Sequence, residues 1–337
     1  MARTDTGRAT FRAAPNIALV KYWGVRTPEL GLPFNSSLSV TLGRMHTETT
    51  VRFAPELAAD SLRLNGASTR GPMLTDVSRF LDRVRGLARL STRAEVRTAN
   101  NFPTASGLAS SASGFAALAG AATRAAGLHL SARALSRLAR LGSGSASRSI
   151  YGGFVEWRAG HREDGRDCFA RPLYPASHWP AFRDLVVIIA SAPVKKVRSA
   201  DAMQSSVRTS PYFQARQREI PRRIVSMRRA IGRRDACTLF PLIMEECDSF
   251  RKVCETTSPS LDYLTEDSRR AIDEVRSLNE EVGRPIAAYT HDAGAHLHIF
   301  TLAADAGMVR RRLAHLRGVQ ETLLLRPGPP AEERRTR

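Results

Sequence analysis

The chain has 337 residues, of which 42% are hydrophobic, enough to build the cores of two domains or of one large domain. Its 51 Lys and Arg outnumber its 32 Asp and Glu, which gives a net charge of +19. The basic residues are scattered along the whole length and form no low-complexity tail. We therefore expect no nucleic-acid partner, whereas an anionic small substrate is compatible with this charge.

The sequence carries no signal for a membrane, for export or for a zinc site. Every apolar run is too short to span a bilayer, and the basic first residues lack the apolar stretch of a secretory signal. The four cysteines form no C-x-x-C pair, which makes free thiols in a reducing compartment the default. We expect a cytoplasmic protein without membrane contact.

The first half alternates short strands with helices. Strands are predicted over residues 9–22, 36–42, 48–53 and 94–98. The pair Asn65-Gly66 is typical of a hairpin turn. An apolar stripe over residues 75–90 predicts an amphipathic helix, and a second helix is expected over residues 130–141 with Ser131 as its N-cap.

The second half contains longer helices and fewer strands. Helices are predicted over residues 213–254, 268–282 and 308–316, and strands over 185–190 and at both ends of 287–302. No regular βαβ rhythm emerges, which favours an α+β class over a doubly wound sheet. We predict an N-terminal domain over residues 1–182, a C-terminal domain over 183–330 and a disordered tail over 331–337.

The most informative stretch is Asn101 to Gly114, N-F-P-T-A-S-G-L-A-S-S-A-S-G, which is uncharged and runs into an Ala-rich segment that favours a helix. Unpaired N–H groups and the positive end of the helix dipole would then point into the loop. Together with the serine hydroxyls, this predicts a phosphate-binding loop. The alternative is a Ser/Gly linker before a helix. A Walker A loop is excluded because no G-K-[ST] follows.

Three charged residues stand in surroundings typical of a binding site. Lys21 ends a predicted strand beside two aromatic residues, and Asp292 lies between strand-like segments. Arg148 lies among Gly, Ser and Ala residues that leave room for a bidentate clamp on an anion. The alternatives are a surface lysine, an aspartate that caps its own turn and a helix-surface arginine. With the phosphate loop, the three residues are compatible with a nucleotide-dependent reaction on an anionic substrate.

Three histidines lie close to Asp292 in the sequence. His296 and His298 would point the same way on a strand, whereas His291 lies across a loop, and no acidic residues cluster nearby. We therefore predict no metal ion bound by these side chains.

Taken together, the motifs resemble the diphosphomevalonate decarboxylase family of the GHMP kinase superfamily. The matching segments are P-N-I-A-L-V-K-Y-W-G at 15–24, L-P-F-N-S-S-L-S-V-T-L at 32–42, P-T-A-S-G-L-A-S-S-A-S-G at 103–114, G-S-G-S-A-S-R-S-I-Y-G-G-F at 142–154 and D-A-G at 292–294. They extend from near the start of the chain to near its end, so the resemblance covers almost all of it.

This resemblance implies a two-domain α+β fold, with an N-terminal domain like that of ribosomal protein S5 and a ferredoxin-like C-terminal domain. It implies that ATP binds the 103–114 loop with Mg²⁺ held mainly by the ATP phosphates. The γ-phosphate would pass to the 3-hydroxyl of a 5-phosphorylated mevalonate, which then loses phosphate and CO₂ to give an isopentenyl product. The implied ATP contacts are Pro103, Ser106, Gly107, Leu108, Ala109, Ser110, Ser111 and Ser113.

The resemblance also implies roles for the charged residues. Asp292 would face the 3-hydroxyl as base or orienter, Lys21 would keep Asp292 ionised, and Arg148 would hold the C1 carboxylate. The implied contacts to the 5-phosphate end of the substrate are Tyr22, Ser143, Ser145 and Arg198. A homodimer is common in the family and is expected here.

The chain departs from the family pattern where the terminal phosphate of the substrate should lie. The usual second lysine of K-Y-W-G-K is Val25, and the usual S-S-R reads Arg198-Ser199-Ala200. The aspartate motif reads D-A-G-A-H instead of D-A-G-P-N. Mevalonate 5-diphosphate is the expected substrate, with mevalonate 5-phosphate as the alternative. Because Lys21, Arg148 and Asp292 are kept, a kinase that phosphorylates the 3-hydroxyl without decarboxylation is disfavoured.

Overall fold

A computed structural model describes residues 7–102, 110–192 and 197–334. The first half of the chain forms two sheets, a short strand pair and their covering helices, and the second half forms a third sheet with longer helices. The elements of the first half are β1 (Gly7–Ala13), β2 (Asn16–Val20), β3 (Val25–Thr27), β4 (Leu32–Pro33), β5 (Ser37–Thr41), β6 (Thr47–Ala54), β7 (Ser61–Leu64), β8 (Ala67–Thr69), α1 (Pro72–Ala88), β9 (Arg93–Asn100), α2 (Ser110–Ala125), α3 (Ala132–Ala139), α4 (Ala146–Ser149), β10 (Phe154–Trp157) and β11 (Ala170–Tyr174).

The second half continues with β12 (Phe182–Ile189), α5 (Ser199–Thr209), α6 (Phe213–Arg233), α7 (Ala236–Glu255), α8 (Glu266–Val282), β13 (Ala287–Thr290), β14 (Leu297–Leu302), α9 (Ala306–Ala314), β15 (Val319–Leu325) and β16 (Glu332–Arg334). The larger N-terminal sheet has the order β16-β1-β6-β9-β7-β8, and the smaller one has the order β11-β10-β5-β2. The C-terminal sheet has the order β13-β14-β12-β15 and is antiparallel throughout. The α+β class is therefore confirmed.

The Ala-rich helix α2 packs against the larger N-terminal sheet, where its small side chains allow a close approach. A Cβ atom at Gly120 would overlap the Phe11 ring of β1, so the contact requires glycine at this position. The alanines at 116, 117, 119, 121 and 122 are fully buried in the same core. The residues predicted to bind phosphate thus precede a helix whose position is fixed by packing.

A shared hydrophobic core joins the two halves. Ile17 of β2 and Val40 of β5 pack in one cluster with Phe182, Ile224 and Phe240 from β12, α6 and α7. The other face of β12 packs against α8 and α9. Because β2 is buried at all five positions, its end is fixed against the C-terminal helices.

Several local predictions are confirmed. Asn65 and Gly66 have φ values of 49° and 84° and join β7 to β8 as a tight hairpin. The Ser131 side chain caps α3 by accepting a hydrogen bond from the backbone N–H of Ala134.

The strand predicted over 9–22 is instead two strands, and the helix predicted over 213–254 is interrupted at Arg234, whose φ is 56°.

The prediction of a disordered tail is wrong for residues 332–334. They form β16, which pairs with β1 in register from Thr10↔Arg334 to Arg12↔Glu332. The segment before it also returns to the N-terminal half, since Gly43 donates its N–H to the carbonyl of Arg326. Unpaired edge groups of β1 account for this return, and no helical or strand periodicity in the tail indicated it.

No helix within the described ranges has both the length and the apolar character needed to cross a membrane.

Candidate active site

Lys21 and Asp292 meet at the junction of the two halves. Lys21 directly follows β2, and Asp292 lies in the turn between β13 and β14. The Lys21 Nζ atom lies 2.8 Å from Asp292 Oδ1, and the two side chains are 3% and 30% exposed. The predicted proximity of these residues is thus present in the structure, and the Asp292 side chain remains partly exposed.

The surroundings of Asp292 keep it ionised. Burial is the largest single influence and acts to raise its pKa, but Lys21, with smaller contributions from His298 and Arg148, more than offsets it, so that the pKa of Asp292 falls below its usual value. The neighbouring His291 is buried, and burial together with Lys21 lowers its pKa to about 4. His291 is therefore neutral at physiological pH.

Arg148 is a buried cation held mainly by neutral groups. It lies in α4 and is 3% exposed. Its Nε donates to Asn16 Oδ1 at 3.0 Å and its Nη1 donates to Ser37 Oγ at 2.6 Å. Within the described part of the chain, no carboxylate forms an ion pair with it. Burial lowers its pKa to about 10, and Asp292 and Tyr22 oppose that shift. A buried guanidinium of this kind is suited to an anionic ligand.

The small-residue segment before α4 lets aromatic rings approach this site. A Cβ at Gly144 would lie 2.7 Å from the Tyr22 ring and 2.8 Å from the Trp157 ring, so glycine is required there. Tyr22 packs edge-on against Trp157 with centroids 4.8 Å apart. On either side of Gly144, the hydroxyls of Ser143 and Ser145 lie 3.2 Å apart.

Tyr22 is a neutral hydrogen-bond donor at this site. Burial raises the pKa of its phenol, and Arg148 offsets only part of the shift. The ring therefore stays protonated across the physiological range and can donate a hydrogen bond to an anion without adding charge.

The predicted phosphate loop is only partly within the described residues. Pro103, Ser106, Gly107, Leu108 and Ala109 lie outside them. Ser110 and Ser111 form the start of α2, where unpaired N–H groups are expected.

Ser113 differs from the prediction that its side chain reaches ATP. It is fully buried, and its hydroxyl lies 2.6 Å from Thr47 Oγ1 of β6. This contact assigns the Ser113 side chain to the packing of α2 on the sheet.

Arg198 lies at the start of α5, and its guanidinium is engaged away from the other site residues. Its Nη2 lies 2.8 Å from Asp76 Oδ2 of α1, and its side chain is 62% exposed. The Val25 side chain packs beside an apolar cluster that includes Trp23 and Phe213. The structure therefore brings together Lys21, Asp292 and Arg148 but leaves Arg198 in a surface ion pair.

Sequence reasoning assigned no role to two residues that hold Arg148. Asn16 and Ser37 lie inside the motifs that carried the family resemblance, and both are buried. Asn16 also donates through Nδ2 to the carbonyl of Ser145 at 3.1 Å and to Ser149 Oγ at 2.8 Å. The sequence signal for these two residues was that both lie inside long motifs of the family. Their common target could not be read from the sequence, because it lies about 110 to 130 residues away along the chain.

Two of the three histidines near Asp292 are engaged in the C-terminal sheet. His296 Nδ1 accepts the backbone N–H of Ile189 at 3.0 Å, and His298 Nδ1 lies 2.7 Å from Asp184 Oδ2. Across the described ranges, no group of three His, Cys, Asp or Glu residues is arranged to hold a metal ion. All four cysteines are free thiols.

Family models match both halves of the chain. Residues 13–170 match the diphosphomevalonate decarboxylase-like N-terminal domain, and residues 185–325 match the mevalonate 5-diphosphate decarboxylase C-terminal domain.

Curated relatives and solved structures agree with these matches. The chain is 42% identical to human diphosphomevalonate decarboxylase over 312 residues, which cover 87% of this chain and 76% of the relative. It is 40% identical to the Aspergillus fumigatus enzyme over 318 residues, which cover 90% and 78% of the two chains.

Among solved structures, mevalonate diphosphate decarboxylase from Staphylococcus aureus superposes with a TM-score of 0.92 at 34% identity, over 98% of both chains. The Enterococcus faecalis enzyme superposes with a TM-score of 0.90 at 36% identity, over 98% of this chain and all of the other. A structure of MDDEF in complex with MVAPP, AMPPCP and magnesium gives a TM-score of 0.91 at 36% identity, with the same coverage. The chain belongs to the diphosphomevalonate decarboxylase family.

Proposed function

We propose that this protein catalyses the ATP-dependent decarboxylation of mevalonate 5-diphosphate to isopentenyl diphosphate, CO₂, ADP and phosphate. The observation that carries the proposal is the buried Arg148 guanidinium, which forms no ion pair within the described residues, close to the Lys21–Asp292 pair. A cation for a carboxylate and an ionised acid for a hydroxyl are the two groups that this reaction needs. The relatives that carry the same name support the assignment.

Asp292 acts on the 3-hydroxyl in this account. Its carboxylate accepts the hydroxyl proton as the 3-oxygen attacks the γ-phosphorus of ATP and the bond to ADP breaks. Phosphoryl transfer depends mainly on positioning and charge neutralisation, so a weakly basic carboxylate is sufficient. Lys21 keeps this carboxylate ionised and fixes its direction.

Arg148 acts in the second step by holding the C1 carboxylate. The C1–C2 bond then breaks to release CO₂, its electron pair forms the C2=C3 double bond, and the 3-phosphate leaves. Before this step Asp292 releases the hydroxyl proton to solvent, which its low pKa and its partly exposed side chain allow. Positive charge then develops at C3, and the Asp292 carboxylate, ionised again, stabilises it. Asn16 and Ser37 hold the Arg148 guanidinium in place while the substrate changes.

The co-substrate is ATP, with Mg²⁺ held mainly by its phosphates. The first turn of α2, with Ser110 and Ser111, supports this proposal because N–H groups at a helix start favour phosphate. Loop residues Pro103, Ser106, Gly107, Leu108 and Ala109 are proposed to complete the contacts. These proposed contacts are supported by the small-residue sequence pattern that directly precedes the packed helix α2.

At the other end of the substrate, Tyr22, Ser143 and Ser145 are proposed to hold the 5-phosphate. Their hydroxyls are neutral donors that surround Gly144 close to Arg148. Arg198 is proposed to reach the terminal phosphate, which requires it to leave Asp76. A surface ion pair of this kind contributes only about 0 to 1 kcal/mol, so the exchange is accessible.

A second candidate substrate is mevalonate 5-phosphate. The observation that favours it is the apolar environment of Val25 together with the engagement of Arg198 by Asp76. A terminal phosphate at this position would meet fewer cations, and a poorly paired phosphate is unfavourable when it loses water.

Product analysis with ATP, Mg²⁺ and each substrate in a separate tube tests the proposal. We expect CO₂ and isopentenyl diphosphate from mevalonate 5-diphosphate. Isopentenyl phosphate from the monophosphate alone would replace the proposed substrate by the second candidate. No product from either substrate would contradict the proposed function.

We further propose that the protein acts in the cytoplasm as a homodimer. The free state of all four cysteines supports a reducing compartment, and the family resemblance supports the dimer. Light scattering of the purified protein distinguishes a mass near twice 37.0 kDa from the monomer mass.

A further inference from the structure

The main chain of Lys21 is held by two helices of the other half of the molecule. Its N–H donates to Glu246 Oε1 of α7 at 3.1 Å, and its carbonyl accepts from Arg216 Nη2 of α6 at 3.0 Å. Arg216 Nη2 also donates to Glu246 Oε1, which closes the contact around the Lys21 backbone. On the N-terminal side, Asn35 Nδ2 donates to the same carbonyl at 2.9 Å.

This cluster is buried and charged. The Glu246 and Arg216 side chains are 0% and 1% exposed. Glu246 forms a second ion pair through Oε2, which lies 2.7 Å from Arg223 Nη1. Removing such charges from water is expensive, and apolar side chains of similar size often give equal or greater stability. Stability alone therefore does not explain why a buried ion cluster lies here. A requirement to hold Lys21 in a fixed position does explain it.

The geometry links the cluster to the reacting groups through one residue. Glu246 and Arg216 fix the Lys21 backbone, and the Lys21 ammonium in turn contacts Asp292. Lys21, Arg216 and Glu246 are each at most 3% exposed, so side-chain motion is restricted along the whole path. The path joins α6 and α7 to the end of β2 and then to the turn after β13.

We propose that Glu246 and Arg216 are positioning residues that place the Lys21 ammonium on Asp292. The inference rests on the proposed function, because it assigns the cluster to the step in which Asp292 acts on the 3-hydroxyl. Neither residue contacts the reacting atoms in this account.

The charged and titratable groups around Asp292 come from several elements. Lys21 approaches from the end of β2, Arg148 from α4, His298 from β14 and His291 from the adjacent position. Lys21 is the group among them that forms an ion pair with Asp292. Displacing it therefore raises the pKa of Asp292, whereas a loss of stability alone does not.

The central variant is Glu246→Gln, and the chain offers a closely matched control. Asp60 is also a buried carboxylate that accepts one backbone N–H, that of Ala94 at 2.9 Å, and two nitrogens of Arg85 at 3.0 Å and 2.9 Å. Asp60→Asn thus removes an equivalent charge from an equivalent network within the N-terminal half. Both variants are expected to lower the melting temperature.

The two variants should differ in activity and in titration. Glu246→Gln should lower kcat by about 10²-fold, with KM for ATP nearly unchanged, because small displacements of a reacting group have effects of this size. It should also move the acid limb of the pH profile to higher pH. Asp60→Asn should leave kcat and the acid limb unchanged. If Glu246→Gln behaves like Asp60→Asn, the proposal is overturned.

Two substitutions of Arg216 with different severity provide a second test of the positioning role. This test also applies if Glu246→Gln does not fold. Arg216→Lys retains a charged donor for Glu246 and the Lys21 carbonyl, and Arg216→Met retains none. We expect kcat and the acid limb of Arg216→Lys to lie between wild type and Arg216→Met. Equal values for the three proteins would contradict the proposal.

A titration without substrate separates this inference from the proposed function. The carboxyl signal of Asp292 in ¹³C-labelled protein, assigned by its loss in Asp292→Asn, should titrate at higher pH in Glu246→Gln or Arg216→Met than in wild type. An unchanged titration would overturn the positioning role. If wild type releases no CO₂ from either substrate, the proposed function fails, and the titration still decides whether the cluster positions Lys21.

Discussion

The two ends of the proposed substrate site are built differently. The reaction end, formed by Lys21, Arg148 and Asp292, lies at the junction of the two halves, and each of its side chains is held by polar contacts. The phosphate end is formed by Tyr22, Ser143, Ser145 and Arg198. It has Val25 beside apolar side chains and leaves Arg198 62% exposed in a surface ion pair. One end is fixed by buried charge, and the other is fixed mainly by packing.

This difference separates the chemistry from the choice of substrate. Buried ion pairs and charge-assisted hydrogen bonds define one arrangement, because any other would leave a charge without a partner. Exposed pairs contribute little and exchange easily. Changes at the reaction end should therefore slow the reaction itself, whereas changes at the phosphate end should alter which phosphate ester is used.

The largest effect is expected for Asp292→Asn. The amide has the shape of the carboxylate but cannot accept the 3-hydroxyl proton or stabilise positive charge at C3, so kcat should fall by about 10³-fold or more. Binding of a nonhydrolysable ATP analogue, measured by calorimetry, should be nearly unchanged. A variant that keeps most of its activity would remove Asp292 from the mechanism.

Arg148→Lys should come next, with a fall of about 10²-fold in kcat/KM for the mevalonate substrate. A single ammonium cannot keep the contacts to Asn16 and Ser37 and also clamp a carboxylate. Steady-state kinetics measure the effect. Arg162→Lys, at an exposed arginine paired with Asp164, is the control and should match wild type. Equal losses in the two variants would contradict a specific role for Arg148.

The pH dependence of activity tests the role of Lys21 at the reaction end. Lys21 keeps the pKa of Asp292 below its usual value, so wild-type kcat/KM should lose its Asp292-dependent activity only below about pH 4. Lys21→Met removes this effect, which leaves burial to raise the pKa and moves the acid limb to higher pH. A profile from pH 4 to 8 measures the shift. An unchanged limb would show that Lys21 does not control Asp292.

At the phosphate end, Val25→Lys should change the preference between substrates. A cation beside the terminal phosphate should raise kcat/KM for the 5-diphosphate relative to the 5-phosphate by about tenfold, the size of one charge-assisted hydrogen bond. Competition between the two substrates measures the ratio. Val25→Met, which is long but neutral, serves as the control. A ratio that changes equally in both variants would place Val25 away from the phosphate.

The smallest effect is expected for Asp76→Asn. The substitution releases Arg198 from its ion pair, so KM for mevalonate 5-diphosphate should fall by about threefold or less, since surface pairs are weak. Initial-rate kinetics at two salt concentrations measure the change. A rise in KM would indicate that the pair itself supports the bound state.

Much of the fold follows from local patterns in the sequence. The Asn65-Gly66 hairpin and the Ser131 cap are set by residues close together in the chain, and both are present as predicted. The return of residues 332–334 to β1 depends on an unpaired strand edge more than 300 residues away, which no local pattern encodes.

The candidate site was predictable to a similar extent. Lys21 and Arg148 lie in the long motifs at 15–24 and 142–154, whereas Asp292 lies in the short motif D-A-G at 292–294, and all three were assigned by resemblance. Glu246 and Arg216 lie in helices without a distinctive pattern, and their role appears only when α6 and α7 pack on the end of β2. Arg198 was assigned because it lies two residues before Ala200, which stands at the usual arginine position of the family, and its partner Asp76 lies on a helix of the other half.

The most direct test of the account is the ratio of CO₂ to ADP formed from mevalonate 5-diphosphate labelled with ¹⁴C at C1, in the presence of ATP and Mg²⁺. One CO₂ should be released for each ADP formed, because Arg148 and Asp292 serve the two steps of one reaction. ADP without labelled CO₂ would identify a kinase that stops at the 3-phosphate, and it would contradict the roles given to Arg148 and Lys21.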